Sequence, residues 1–141
     1  MASIVRWLPR DRMIVTGDLN DAPWSFGLRE MERLVRPGGL LLVTTQGVGS
    51  LAYYLRGGYI DEPYAVRATE DLLATGHHYL EAFPGDVGDW GVKSAEWGMA
   101  YMTLDWLAAA ALPQWSIELF EPVRIDGNQD LVVLRMLDVE G

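Results

Sequence analysis

A chain of 141 residues suits one domain with a real core, and half of its residues are apolar, which argues for a folded domain over a disordered one. The formal net charge of −9, with Lys93 as the single lysine and scattered arginines, excludes a nucleic-acid binder, because phosphates demand clustered Lys and Arg. Cysteine is absent, which removes disulfides, thiolate zinc sites and a cysteine nucleophile. No apolar run approaches the roughly 20 residues of a membrane span, and residues 1–10 lack an apolar block of signal-peptide length, so a cytoplasmic chain is expected.

Residues 1–12 hold Arg6, Arg10 and Arg12 around Trp7 and Pro9 without a period, and stand apart from a domain over residues 13–141. Met13-Ile14-Val15 predicts a brief strand that ends in a loop at Thr16-Gly17-Asp18. Asn20-Asp21-Ala22-Pro23 is a helix start, since an amide or carboxylate accepts first-turn N–H groups and Pro tolerates the first helical position. That helix is expected to run to about Val35, with Trp24, Leu28, Met31 and Leu34 or Val35 on one face. Pro37-Gly38-Gly39 stops it and turns the chain. Residues 40–43 are apolar without alternation, as in a strand covered on both faces of a parallel sheet.

Residues 46–50 read as a glycine-containing loop, followed by a short helix over 51–55 that ends at Gly57-Gly58. Residues 59–63 are loop-like, and a short helix over 68–75 stops at Gly76. Residues 77–98 are rich in Gly, Asp and aromatics without a period, which predicts a long ordered insertion; 97–102 reads as extended. Thr103 caps a helix from 104 to about 112, ended by Pro113. Residues 115–121 alternate as a strand, Asp126-Gly127-Asn128 is a turn, and 131–136 form a second strand that is apolar on both faces over 131–134.

Amphipathic helix, Pro37-Gly38-Gly39 turn and apolar strand, with a late pair of strands around Asp126-Gly127-Asn128, resemble the C-terminal half of class I S-adenosylmethionine-dependent methyltransferases. Ile125-Asp126-Gly127-Asn128-Gln129-Asp130 before an apolar strand is similar to the tail of many bacterial members. The resemblance covers about residues 16–136. It implies an α/β, truncated Rossmann-like fold with a mixed sheet of about four strands. Their order in family terms is four, five, seven, six, with helices on both faces and strand seven antiparallel. It also implies S-adenosylmethionine as cofactor and methyl transfer to a small-molecule or sugar acceptor. The family's glycine-rich loop after strand one and the acidic residue after strand two are not found. The chain is therefore expected to be incomplete for cofactor binding on its own. Gln46-Gly47-Val48-Gly49 has two glycines but is no GxGxxG, and it follows the wrong strand.

By the same resemblance, Thr16, Gly17 and Asp18 fall where the family places residues near the adenosine, and are the cofactor-binding candidates. The alternative reading, which the residues favour, is a polar turn that caps the next helix. His77, Asp86, Asp89, Trp90, Trp97 and Tyr101 are the acceptor-binding candidates: rings stack on the apolar faces of a sugar and carboxylates accept its hydroxyls. The same rings can instead anchor a long loop to the core. A neutral imidazole of His77 or His78 can act as a base, but neighbours in an extended chain point to opposite sides. The two histidines with Asp86 and Asp89 match no metal spacing, so no metal is expected. There is no serine nucleophile elbow, and no residue is assigned a catalytic role, because methyl transfer relies on alignment of donor and acceptor. Without strands one to three, strand four would be an open edge that pairs with a second copy or a partner subunit. A non-catalytic binding or regulatory module using that edge is the alternative function.

Overall fold

The central sheet is built around the apolar strand that follows the Pro37-Gly38-Gly39 turn. The computed structural model describes residues 5–6, 14–18, 24–81 and 98–138. In chain order these form β1 (Val5–Arg6), β2 (Ile14–Asp18), α1 (Trp24–Glu32), β3 (Leu40–Thr45), α2 (Val48–Arg56) and α3 (Glu62–Thr75). They continue as β4 (His77–Glu81), β5 (Gly98–Met102), α4 (Leu104–Ala111), β6 (Trp115–Ile125) and β7 (Gln129–Met136). The class is α/β, as expected. Five strands form one sheet in the order β1-β2-β3-β7-β6, and β4 pairs with β5 in a second, two-stranded sheet. β2 runs parallel to β3; β1 is antiparallel to β2, and β7 is antiparallel to both β3 and β6.

Several expectations are corrected. The sheet has five strands rather than about four, because Val5–Arg6, inside the aperiodic residues 1–12, pairs with Val15 and Ile14. A two-residue strand is too short to show a period. It also occupies part of the edge expected to be open. Thr16-Gly17-Asp18 is not a loop: the parallel ladder carries the strand through Asp18, opposite Leu42, Val43 and Thr44. α3 starts at Glu62, not 68. Asp61 Oδ1 accepts the Tyr64 N–H at 2.7 Å and Pro63 sits in the first turn, so the apparent loop is a capped helix start. α2 starts at Val48, directly after Gly47, so most of the expected glycine loop is helix. The aperiodic stretch from residue 77 begins as a strand, with His77–Glu81 pairing in register with Gly98–Met102. The Asn20–Pro23 helix start lies outside the described residues.

Two cores hold these elements. In the first, Leu28, Leu41, Val43, Leu107, Trp115 and Leu134 meet, which packs α1 and α4 on one face of the sheet. β3 alternates accordingly: Leu41, Val43 and Thr45 are buried, whereas Leu40, Leu42 and Thr44 are half-buried, so the strand is not equally covered on both faces as expected. β7 repeats the pattern with Val132 and Leu134 inside. The second core joins α2, α3 and β5 through Leu51, Ala68, Leu72 and Tyr101. β6 forms the far edge of the sheet, and its register shifts after Ile117 and after Glu121, with Pro122 in the second shift, which blunts it against pairing with another chain. Among the described residues no helix is long and apolar enough to cross a membrane.

Candidate functional site

The carboxyl end of β3 runs straight into α2, and a buried polar group forms where they join. Gln46 bridges to Tyr101 of β5, with the Met102 N–H donating to the Gln46 carbonyl at 2.8 Å. Gly47 follows without room for a side chain, since a Cβ there would meet Asp130 Oδ2 at 2.7 Å and the Met102 carbonyl at 3.3 Å. The Ser50 hydroxyl accepts the Gly47 N–H at 3.4 Å and donates to the Asn128 carbonyl, which ties α2 to the β6–β7 turn. Tyr54 Oη accepts from Gln46 Nε2 at 3.1 Å and from Asn128 Nδ2 at 3.3 Å. Gln46 Oε1 and Asn128 Oδ1 are buried with no partner among the described residues. Two oxygens that only accept are therefore left for donors.

Asp130, also buried, closes this group from β7. Its Oδ1 accepts the Val123 N–H at 2.8 Å, and Val123 is held at φ 49, a left-handed conformation that β-branched residues rarely adopt. Burial pushes the Asp130 carboxyl above its ordinary value, and the Val123 N–H pulls against it.

A second group lies on α3 and β4. Tyr64 and Asp71 are seven residues apart, two turns, and so share a helix face. Gly76 ends the helix at φ 82, a conformation that glycine adopts without penalty, and its N–H donates to the Leu72 carbonyl at 2.8 Å. The chain then turns back as β4 and lays His78 against that face. His78 Nδ1 stands 2.7 Å from Asp71 Oδ2, and Nε2 stands 2.9 Å from Tyr64 Oη. Burial pushes the Tyr64 phenol up from its ordinary value, with Arg67 opposing. Tyr101, opposite His78 in the β4–β5 ladder, is pushed up further by burial and then by Tyr54 and Tyr64, so these three phenols share one neighbourhood.

The candidate residues fare differently. His77 and His78 do point apart: His77 stacks on Trp106, with centroids 4.9 Å apart and planes at 29°. Burial lowers its pKa first, His78 lowers it further, and Asp71 works against both. Tyr101 is fully buried and its hydroxyl donates to Met99 Sδ at 3.7 Å, so it is a wall of the second core and not an exposed binding ring. The structure brings Tyr101 to His78 and leaves His77 on the other side of β4. Thr16, Gly17 and Asp18 are paired strand residues, with Asp18 at the carboxyl end of β2. Asp86, Asp89, Trp90 and Trp97 lie outside the described residues. Sequence reasoning missed Tyr64, Asp71, Gln46, Tyr54, Asn128 and Asp130. The seven-residue spacing from Tyr64 to Asp71, and again from Asp71 to His78, was the available signal.

No group of three or more His, Asp or Glu able to hold a metal occurs among the described residues. The Asp130 carboxylate stands against Gly47, so the turn after β3 has no room for a side chain at that position. No protein-family model matches this chain, and no significant match was found among curated proteins or among solved structures.

Proposed function

We propose that the chain is a methyltransferase-like half-domain. On this reading it contributes the acceptor side of a reaction on a small molecule or sugar, and the S-adenosylmethionine side comes from outside this sequence. One observation carries the reading. The strands β2-β3-β7-β6 are arranged as a parallel pair, then an antiparallel strand inserted next to β3, then its hairpin partner. That order supports family strands four, five, seven and six. The insertion between β3 and β6, which holds the Tyr64–Asp71–His78 group and the Gln46, Ser50 and Tyr54 side of the other, falls where this family shapes its acceptor sites. The direct test is a thermal melt with and without S-adenosylhomocysteine. Ligand at about 100 times its dissociation constant stabilises a fold by roughly 2.7 kcal/mol, a shift of several degrees. A shift would mean that the chain binds the cofactor product unaided, against the half-domain reading. Gain of a shift only when a partner chain co-purifies would support it.

The alternative, a non-catalytic module completing another subunit, is favoured by one feature: the sequence carries no glycine-rich cofactor loop. A partner that co-purifies and confers no cofactor binding would select it.

A further inference from the structure

The chain of hydrogen bonds from Asp71 through His78 to Tyr64 has the connectivity of a base that is oriented by a carboxylate and aimed at a hydroxyl. The Asp71 carboxylate only accepts, so His78 Nδ1 carries the hydrogen between them. In the neutral ring Nε2 then accepts the Tyr64 O–H. Both ring nitrogens are thus committed to groups on a single helix face. Tyr64 is half-buried, and its oxygen keeps lone pairs for a further donor.

Position supports function. Gln46 bridges Tyr101, and Tyr101 stands opposite His78, so adjacent strands lead from the carboxyl end of β3 across β5 to His78. Open α/β sheets bind ligands outside the carboxyl ends of their strands. On α3, Glu62, Glu70 and Asp71 outnumber Arg67, which disfavours an anionic ligand there.

We propose that Asp71, His78 and Tyr64 form a proton relay in which Tyr64 takes the proton of a hydroxyl group on a neutral alcohol or polyol bound over the end of β3. The acceptor O–H bond breaks as a new Tyr64 O–H bond forms. The original Tyr64 proton moves to His78 Nε2, and Asp71 balances the imidazolium. The acceptor oxygen keeps the electron pair. The relay rests on the reading above for the kind of group that oxygen then receives, and not for its own proton transfer.

The activation is measurable without acceptor or cofactor. The purified chain is treated with a benzenesulfonyl fluoride, digested, and mapped by mass spectrometry. Tyr64 Oη forms a bond to sulfur, fluoride leaves, and the phenolic proton goes to His78. Tyr59, 74% exposed, is the internal reference. Base assistance predicts that Tyr64 reacts about 100-fold faster than Tyr59, and that His78→Gln removes the advantage. Asp71→Asn, at an exposed side chain, slows the reaction while circular dichroism stays unchanged. Equal rates at Tyr64 and Tyr59 in the parent chain overturn the proposal, as does full reactivity in a folded His78→Gln. If His78→Gln does not fold, the parent comparison and Asp71→Asn decide. Fast Tyr64 labelling with no cofactor binding in any complex removes the methyltransferase reading and leaves the relay standing.

Discussion

A methyl group added at Gly49 tests how β6 holds α2. A Cβ at this position would stand far inside ordinary contact, 3.4–4 Å, of Val123 Cγ1. Val123 cannot swing aside at little cost, because its backbone is held at φ 49 and its N–H is bonded to Asp130 Oδ1 at 2.8 Å. Forcing an extra methyl into such a contact costs about 1–3 kcal/mol, whereas Ala for Gly in a helix returns up to about 1 kcal/mol. Val123→Gly removes the obstructing methyls and also the left-handed penalty, about 1–2 kcal/mol for an ordinary residue. In that background Gly49→Ala should keep only its helix gain. The coupling energy of the double-mutant cycle is then the overpacking cost alone, about 1–3 kcal/mol. Urea unfolding of the four proteins, compared at equal m values, reads it directly. A coupling below about 0.5 kcal/mol would mean that Val123 does not stand over Gly49, and the β6–α2 contact described above would be wrong.

Tyr54→Phe strands the Gln46 and Asn128 amide donors, and should cost about 1–3 kcal/mol in equilibrium unfolding. Asp130 gives a pH signature. Its carboxyl is raised in the folded state, so the folded chain keeps a proton that the unfolded chain has released. Stability attributable to this group therefore falls as pH rises from about 4, the ordinary Asp value, through the raised one. Asp130→Asn retains an acceptor for Val123 and should lose that fall when urea midpoints are compared across pH. Asp61→Ala removes the α3 cap and should cost about 1 kcal/mol, read as a lowered thermal midpoint.

What the sequence disclosed follows from what is local. Pro37-Gly38-Gly39, Thr103 and Asp126-Gly127-Asn128 mark their turns and caps because the chemistry that sets them lies within a few residues; Thr103 Oγ1 does accept the Trp106 N–H, at 3.2 Å. The β4–β5 pairing is not local: sixteen residues separate the arms, and neither alternates strongly enough to declare itself. One local misreading had a distant effect. Taking residues 59–63 as loop started α3 at 68, which removed Tyr64 from the helix and broke its face-sharing with Asp71. With the helix started at Glu62, the two residues and the His78 that folds back on them become a single group. Gln46 was hidden in a similar way, since a two-glycine stretch reads as loop until Ser50 is seen to hold it as a helix entrance.

β5 has a role that neither core alone reveals. Its alternate side chains face opposite compartments: Ala100 and Met102 belong to the first core, and Tyr101 belongs to the second. The strand is a shared wall. A slip of one residue would drive the Tyr101 ring into the space of an alanine and push a methionine among the phenols, so the wall cannot yield by sliding. Displacement of the α2–α3 side must then reach the central sheet as movement of the whole strand, through the Gln46 bridge and the Met102 N–H bond. A load on the α2–α3 side is thereby passed to Gln46, at the carboxyl end of β3.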